Sequence, residues 1–593
     1  MSLLKQWRYL LLSIFAIVAL TAFVACGDDD DDDDGGEDTP TETADGGEET
    51  PAGGDGERID GGDLIVHGNE PDSLDPHFSS FAQDISLHRM LWRGMYWLDA
   101  DFNVTPHMAA DDPEVSADGT VYTIPIREGL TWSDGDDLTS EDFVLGLHRT
   151  CNPDNAGQYQ YVLTNVIGCD DYYSAYGSED APLTPTAEEL EALRGAVGVT
   201  APDATTVEIT LQNPQPTFPI ILALWMTFPV PAHLFPDPGQ EWPAGPSAPD
   251  ALAYNGPYIM TGYTPQDSAV LEPNPNWAAP NDVSPTLDTL TIRFIDDSSV
   301  ANNAYRNDEL GYADVDTTVL SAVVSEFGEG DEYFKNLKAS TRGLQMNLDR
   351  PPLDNLEVRL ALSQAIDRDA MVEVVTNGAN DATTSWIPGN LPAGAAPDAY
   401  AECCGYNPTA AQERLANAGY PDGAGFPTDL TILVGDSPAA RDTAEFLQAS
   451  LQDTLNIQVG IEVVDSATRS ARFTSEDFWL FPGGWIQDYP DPENWIVGLY
   501  DTDGPLNHYN CSSAEIDQLI ADNQFNTDND ARIDAYTRIN DIITEEACGI
   551  APYWHENDHH LIKPNVVGLR ENISAQDAFQ AGDWFAESWG FSE

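Results

Sequence analysis

Asp488 is the residue whose setting points most directly to chemistry. It lies in GGWIQDYPDP (residues 483–492), between Trp485 and Tyr489 and just before two prolines that prevent regular structure. An acid among aromatic residues needs a partner, because an unpaired charge removed from water is costly. Asp488 is therefore either solvated in a loop or positioned to meet a cation that the chain itself does not supply.

A second candidate is HENDHH (residues 555–560), which contains the HExxH spacing. On a helix this spacing places two imidazoles on one face for zinc, with Glu556 as the base. Pro552 and Pro564 flank the segment and Asn557-Asp558 favours a turn, so we expect the polar tip of a hairpin between two short strands. A zinc hydrolase is kept as a remote alternative. The chain also lacks GxSxG, a P-loop and a GxGxxG after a strand, so no enzyme, metal or cofactor is predicted.

The composition limits both fold and function. At 593 residues the chain is too long for one hydrophobic core, so roughly two to four domains are expected. Its 101 Asp and Glu against 24 Lys and Arg give a formal net charge of −77. Such a surface repels phosphate backbones, which excludes a nucleic-acid partner. The acidity favours solubility, including in high salt, and a specific cationic partner is the alternative.

The N-terminus is typical of an exported protein. Lys5 and Arg8 precede an apolar run over residues 9–24, which is short for a membrane span and is soon followed by acidic residues. The sequence Phe23-Val24-Ala25-Cys26 resembles a bacterial lipobox, although Phe23 replaces the usual Leu. We therefore expect residues 1–26 to be a lipoprotein signal peptide with Cys26 lipidated; a cut elsewhere, with Cys26 incidental, is the alternative.

The segment that follows, residues 27–61, is dominated by Asp, Glu and Gly without apolar periodicity. Like charges and glycines predict a disordered acidic linker that holds the folded body off the membrane. The expected location is extracytoplasmic, in the periplasm or at the cell surface, with the chain anchored by lipid to the outer face of the cell membrane.

An even number of cysteines remains after Cys26, which in an exported chain suggests disulfides. These residues are Cys151, Cys169, Cys403, Cys404, Cys511 and Cys548. Cys151 and Cys169 close a short local loop and form the favoured pair. The connectivity of the other four is open, and a vicinal Cys403–Cys404 bridge is one option. No CxxC pair occurs, which argues against structural zinc.

The body alternates short strands with amphipathic helices, which indicates an α/β fold class. Residues 61–68 and 120–132 are predicted to form strands. Residues 355–378 have apolar positions at helical spacing and are predicted to form one helix. Asn407, followed by proline, is predicted to cap another helix, and residues 512–523 begin with a capping-box pattern from Ser512 to Glu515.

Seven motifs occur in a fixed order along the body. They are NEPDSLDPH (69–77), the segment 106–149 around GLTWSDGDDLTSEDF, NGPYIMTGY (255–263), LEPNPNW (271–277), the segment 346–372 beginning MNLDRPPLDN, YNPTAAQERLANAGYPDG (406–423) and GWIQDYPDPENW (484–495). Together they resemble the oligopeptide/dipeptide-type extracytoplasmic solute-binding proteins of ABC importers, family 5. The resemblance covers nearly all of residues 62–570.

The resemblance implies a two-lobed periplasmic-binding-protein (Venus flytrap) fold of type II, cluster C, with an extra domain. Lobe I is expected to be discontinuous, formed by residues 62–96, 217–340 and 553–593, with the extra domain at 97–216. Lobe II is expected at 341–552. The implied function is a monomeric receptor that performs no chemistry. It would bind peptide, close by a hinge motion and deliver the ligand to the permease and ATPase subunits of the importer.

In peptide-binding members of the family the ligand lies extended between the lobes, bonded through its backbone like an added strand. One wall is the segment after the LDPH motif, and the other is the strand before the acid. By this resemblance the wall residues are Ser80, Phe81 and Ala82 on one side and Gly484, Trp485 and Ile486 on the other. Asp488 matches the acid that holds the α-ammonium group of the peptide. A local turn capped by Asp488 is the alternative, and Trp485 can equally belong to the core.

Two further observations bear on the ligand. Some peptide binders carry an arginine three residues before this tryptophan to meet the peptide carboxylate, but Pro482 stands there in this chain. Arg441 is a nearby cation in sequence, so the C-terminal anchor stays open. Other family members bind sugars and other small solutes. Aromatic residues such as Trp485, Tyr489 and Trp495 would suit a stacking surface for oligosaccharide, which is the main alternative ligand.

Overall fold

The computed structural model describes residues 58–79, 81–99, 103–177, 181–239, 242, 251–569 and 583–592. The strands within these residues are β1 (Arg58–Ile59), β2 (Asp63–Gly68), β3 (Tyr96–Leu98), β4 (Val104–Pro106), β5 (Glu114–Val115), β6 (Val121–Pro125), β7 (Val199–Asp203), β8 (Thr206–Thr210), β9 (Tyr258–Thr264), β10 (Ser268–Pro273), β11 (Thr289–Phe294), β12 (Tyr312–Asp314), β13 (Tyr333–Met346), β14 (Asp381–Ala382), β15 (Thr431–Val434), β16 (Gly460–Val463), β17 (Leu480–Ile486), β18 (Ile550–Ile562), β19 (Val566–Val567) and β20 (Gly590–Ser592).

Helices follow about half of these strands. They are α1 (Ala82–Leu91), α2 (Ser140–Thr150), α3 (Cys169–Tyr173), α4 (Ala187–Ala196), α5 (Phe218–Ile221), α6 (Ser298–Arg306), α7 (Leu320–Phe327), α8 (Leu356–Gln364), α9 (Arg368–Thr376), α10 (Ala401–Cys404), α11 (Pro408–Asn417), α12 (Pro438–Leu455), α13 (Ser466–Thr474), α14 (Glu493–Tyr500), α15 (Ala514–Asn523) and α16 (Asn529–Glu545). A 3-10 segment, Gln158–Leu163, also contributes to the site described below. No helix in the described residues is long and apolar enough to cross a membrane.

Two long antiparallel strands, β13 and β18, join the two halves of the main sheet. The strand order is β16-β15-β17-β13-β18-β12-β2-β11-β10-β9, with β14 added beside β18. β13 pairs with β18 from Tyr333 opposite Leu561 to Gln345 opposite Ile550. The register shifts between Leu337 and Thr341, where β13 carries extra residues. At one end of the pair β13 is bonded to β17, and at the other end β18 is bonded to β12. Both strands therefore run through both halves of the sheet.

A smaller four-stranded sheet, in the order β5-β6-β8-β7, lies within residues 114–210. β6 shows the alternation expected of a half-buried strand, with Tyr122 and Ile124 buried between less buried neighbours. The strands predicted from residues 61–68 and 120–132 are thus present as β2 and β6, the latter ending earlier than expected.

Local capping explains where several helices begin. The side chain of Asn407 accepts a hydrogen bond from the Ala410 amide and Pro408 opens α11, as predicted. The predicted single helix over 355–378 is wrong, because Asp367 caps a new helix through the Ala370 amide and so divides the segment into α8 and α9. The cap of α15 is Ser513, which accepts from Ile516, rather than the predicted Ser512.

The predicted hairpin tip at HENDHH is also wrong. Residues 555–560 lie inside β18, where Asn557 pairs with Leu337 and Asp558 with Asn336 of β13. The turn preference of Asn-Asp is overridden because the strand is held between β13 on one side and β12 or β14 on the other. Long-range pairing therefore decides the conformation of this segment.

Within the described part of the chain, the buried hydrophobic residues form four clusters. The largest draws on residues between 64 and 294 together with C-terminal residues such as Trp589. Two clusters belong to residues between 339 and 554, and a fourth packs α6 and α7 against neighbouring strands. The domain boundaries given above stay a prediction, since the largest cluster includes residues of both the expected lobe I and the expected extra domain.

Three disulfides join the six cysteines that lie in the described residues. Cys151 bonds to Cys169, which is the pairing that the sequence favours. Cys403 bonds to Cys404, and Cys511 bonds to Cys548. The sequence alone left the last two pairings open.

Candidate functional site

The strand β17 carries the residues expected to form one wall of a ligand cleft. Ser340, Thr341 and Arg342 of β13 pair with Ile486, Trp485 and Gly484. A Cβ atom at Gly484 would overlap the carbonyl oxygen of Thr341, so only glycine allows this close approach of the two strands.

The opposite edge of β17 is largely open. Its other neighbour, β15, pairs with it only where Ile432 faces Leu480. From Pro482 to Ile486 the described residues therefore provide no strand partner on that edge, and the wall residues are half-exposed there, apart from the buried Gly483. The backbone of an extended ligand can add to such an edge.

Asp488 follows this strand and is held by three donors. The Tyr159 hydroxyl donates to Oδ1 at 2.8 Å, and the Tyr161 hydroxyl donates to Oδ2 at 2.7 Å. The Asn494 side-chain amide donates to Oδ2 at 3.0 Å, while the Asn494 oxygen accepts from the Asp488 amide at 2.9 Å. A carboxylate offers about four acceptor positions, so one position is left for a further donor.

These contacts determine the ionisation of the group. Burial raises the pKa of Asp488, and the hydrogen bonds from Asn494, Tyr161 and Tyr159 oppose that rise. Burial and the neighbouring Asp488 charge raise the pKa of both tyrosine hydroxyls well above the ordinary value. The tyrosines therefore stay protonated and act as donors. No Lys, Arg or His in the described residues forms an ion pair with Asp488.

The second acid of the DYPDP sequence is paired quite differently. Asp491 accepts two hydrogen bonds from the Arg532 guanidinium, at 2.7 and 2.6 Å, in a buried bidentate pair. It also accepts from the Glu493 amide at 2.9 Å, which orients the start of α14. Asp491 is therefore a structural acid with its own cation, whereas Asp488 has hydroxyl and amide donors only.

The residues expected on the other wall are only partly placed. Ser80 lies outside the described residues. Phe81 is the N-cap of α1 with a side chain 54% exposed, and Ala82 is exposed at the first position of that helix. The Ser79 carbonyl, just before this wall, accepts a hydrogen bond from the Trp225 indole at 3.1 Å. The Trp225 ring lies edge-on to the Tyr159 ring, with 4.7 Å between the ring centroids. The role of this wall stays a prediction.

A cavity of about 310 Å³ lies beside Asp488. Tyr161 and Asn494, both bonded to Asp488, contribute to its lining, together with Trp485 and Tyr489. The Trp485 indole donates to Asn494 at 3.0 Å, and Tyr489 is buried in the largest core cluster. Trp485, Asp488 and Tyr489 are thus brought together, and segments far apart in sequence, near 161 and near 490, form the cavity.

Comparison with known proteins now decides the family. The family model for bacterial extracellular solute-binding proteins, family 5, matches residues 103–507. The chain belongs to that family. Its fold is the two-lobed periplasmic-binding-protein fold predicted from the motifs.

Relatives of this family 5 protein align over most of their length. A probable deoxycholate-binding periplasmic protein of Escherichia coli, YgiS, is 26% identical over 84% of this chain and 89% of the relative. The periplasmic oligopeptide-binding protein OppA of E. coli is 25% identical over 85% and 88%. The solved structure of the E. coli murein tripeptide-binding protein MppA has a TM-score of 0.70 at 22% identity, covering 90% of this chain and 98% of that one.

Two arginines near Pro482 were missed by sequence reasoning. The Arg469 guanidinium donates to the Pro482 carbonyl at 2.9 Å and lies 4.0 Å from the centre of the Phe481 ring. Arg342 forms an ion pair with Glu556 at 3.1 Å, and both arginines line a second cavity of about 480 Å³. Burial and the nearby Arg342 charge lower the pKa of Arg469.

By contrast Arg441, the cation noticed in sequence, bonds to the Asp436 carbonyl at an exposed position. No carboxylate of the described residues pairs with Arg469. Pro482 stands where some peptide binders carry an arginine. In this family 5 protein a cation, Arg469, lies near that position but comes from helix α13.

The HExxH residues do not form a metal site. His555 and His559 lie four residues apart on a strand, so their backbones are separated by about 13 Å, too far for one ion. Thr341 bonds His555 at 2.8 Å, while Tyr333 and the Ala379 carbonyl bond His559 at 2.8 and 2.9 Å. Burial lowers the pKa of both histidines to about 4.

In the described residues, the group with metal-ligating spacing is Asp134, Asp136 and His233, which lies at the surface. The His233 imidazole and Asp134 are 2.7 Å apart, as in an ordinary hydrogen-bonded pair.

Proposed function

We propose that this protein binds peptides between its two lobes, with the peptide α-ammonium group held by Asp488. The observation that carries the proposal is that Asp488 has an open acceptor position and no cationic partner in the described residues. An ammonium group supplies three donors and the missing positive charge. The hydroxyl oxygens of Tyr159 and Tyr161 are additional acceptors beside it.

The peptide backbone would pair with the open edge of β17. This edge begins beyond Leu480 and leads directly towards Asp488, so backbone pairing and capture of the amino terminus can use one continuous surface. Relatives named as oligopeptide-binding and dipeptide-binding proteins support the assignment.

Arg469 is proposed to hold the peptide carboxylate. Pro482, which Arg469 contacts, lies six residues before Asp488, a separation of about 20 Å or less along an extended strand. Peptides of up to about six residues can then have both termini anchored. Longer peptides would gain less from a free carboxylate.

Delivery to an ABC permease, anchoring by lipid at Cys26, a monomeric state and the absence of catalysis complete the proposal. Cys26 lies outside the described residues, so its role rests on the sequence motif. The extracytoplasmic location follows from the family.

The test is calorimetric titration of the purified chain with a peptide pool and with the same pool acetylated at its amino termini. We expect the free pool to bind and acetylation to weaken binding by about 30-fold or more, because a buried charge-assisted pair is lost. Asp488→Asn should abolish this difference, whereas the exposed Asp522→Asn should preserve it. Equal binding of both pools by the unaltered chain would remove Asp488 as the ammonium anchor.

Binding of neither pool would contradict the peptide proposal itself. An oligosaccharide would then be the next ligand to titrate, since aromatic side chains line the cavity beside Asp488.

A further inference from the structure

The cavity beside Asp488 has an unusual distribution of charge. We call it the acidic cavity and define it by Tyr161, Trp485, Tyr489, Glu493, Asp501 and Asp503. The remaining lining residues are uncharged, and several of them, such as Val497 and Leu506, are apolar. Among all of its described lining residues, none is Lys, Arg or His. Because the surface of the chain is acidic in general, the informative acid is the one that is withdrawn from solvent.

That acid is Glu493, which is half-buried at the start of α14. Its carboxylate accepts a hydrogen bond from the Thr217 hydroxyl at 2.8 Å. The nearest charges are Asp491 and Arg532, which form a bidentate pair with each other, and at Glu493 the effect of the Asp491 charge exceeds that of Arg532. Glu493 therefore has no cation of its own.

The remaining titratable neighbours do not change this balance. Tyr489 and Tyr536 are buried beside the two acids, and burial raises the pKa of both hydroxyls well above the ordinary value. Burial and the Asp491 charge raise the pKa of Glu493 to about 7. A cation entering the cavity would favour the ionised form of Glu493 and so oppose the rise in its pKa that burial causes.

The position of the acidic cavity identifies which part of a ligand would reach it. Tyr161 and Asn494 line the cavity and also donate to Asp488. The cavity thus opens next to the site proposed for the peptide amino terminus. Aromatic walls suit the methylene stem and the cationic head of a long basic side chain.

We propose that the acidic cavity receives a lysine or arginine side chain from a residue near the anchored amino terminus, with Glu493 as its ion-pair partner. This inference rests on the proposed function and adds a preference for peptides with a basic residue at that position. Asp501 and Asp503 would add attraction at the rim of the cavity.

The test uses alanine hexapeptides with a free amino terminus and one substituted residue at position one, two or three. The substituted residue is arginine or citrulline, its uncharged isostere, and dissociation constants are measured calorimetrically in physiological salt to screen general attraction. At one of these positions we expect arginine to bind about tenfold or more tightly than citrulline.

The ratio of the two constants is then measured in variants. Glu493→Gln should bring the ratio to within about twofold, and Glu493→Asp should retain a preference for arginine. The exposed Glu445→Gln, on α12, is the matched control and should keep the full ratio. Using a ratio within each variant cancels any general loss of affinity.

Three results would overturn the inference. Arginine and citrulline peptides could bind equally at all three positions, while the alanine peptide still binds; the proposed function would then stand without the basic preference. A preference that survives Glu493→Gln would assign the effect to another acid. Absence of binding by every peptide would overturn the proposed function and this inference together.

Discussion

Replacing Glu493 by glutamine should stabilise the ligand-free protein, by an amount that grows as the pH rises from about 4.5 to about 7. Glutamine retains an oxygen that can accept the Thr217 hydrogen bond but carries no charge. The pKa of Glu493 is raised from 4.5 to about 7, so the folded state disfavours its ionised form. Below pH 4.5 the carboxyl is protonated in both the folded and the unfolded chain and makes no difference.

Between pH 4.5 and 7 the carboxyl is ionised in the unfolded chain but still largely protonated in the folded one. The wild-type protein therefore loses stability as the pH rises, and above about pH 7 the whole free-energy cost of the buried charge is present. The difference between the two pKa values corresponds to about 3 kcal/mol at 1.36 kcal/mol per pKa unit. Since Glu493 is only half-buried and faces a cavity, solvent screening reduces the expected gain in unfolding free energy to about 2 kcal/mol.

The assay is urea denaturation of both proteins at pH 5 and pH 8 without ligand. The variant should be clearly more stable than wild type at pH 8, and its advantage at pH 5 should be only about a quarter as large. Glu445→Gln, which removes an exposed charge, should show no such dependence on pH. A Glu493→Gln protein that is less stable at pH 8, or equally changed at both pH values, would refute the reasoning about this carboxyl.

Three further outcomes are expected. Arg469→Gln should weaken short peptides with a free carboxylate about tenfold or more by calorimetry but leave amidated peptides unchanged; equal losses would remove Arg469 as the carboxylate partner. Replacing both Tyr159 and Tyr161 by phenylalanine removes two donors to Asp488, so the expected lobes should separate more easily. Small-angle scattering of the ligand-free protein should then give a larger radius of gyration. An unchanged radius would show that these bonds do not hold the lobes together. Arg532→Met leaves Asp491 buried and unpaired, and urea denaturation should show a loss of about 3–5 kcal/mol; a smaller loss would mean that water reaches this acid.

The sequence was most informative where short motifs carry the function. The family and the fold followed from short motifs in a fixed order. Asp488 was recognised as a candidate binding residue because an acid between aromatic residues and prolines is conspicuous by itself. Its donors Tyr159 and Tyr161 were missed, since they lie 329 and 327 residues away in a 3-10 segment without a periodic pattern. Arg469 was missed for a different reason: it lies only 13 residues before Pro482, on α13, but nothing in the local sequence shows that its side chain reaches β17.

The two errors in secondary structure have different physical causes. Asn557-Asp558 favours a turn locally, but strand pairing on both sides of β18 outweighs that preference. Over residues 355–378 the apolar spacing continues through two helices, and it conceals the break at which Asp367 caps the second one. Long-range strand pairing thus decided the first segment, and a local cap decided the second.

The register shift between Leu337 and Thr341 has a mechanical consequence. Extra residues on one strand increase local twist and bend. A second register shift follows between Arg342 and Gly343, so the β13–β18 ladder is interrupted twice within a few residues. Rotation of one half of the molecule against the other can therefore be concentrated as torsion in this part of β13, while Ser340 keeps its pairing with Ile486 of β17. The stiffness of that short segment, rather than the packing of either core, would set how much work a ligand must do to close the protein.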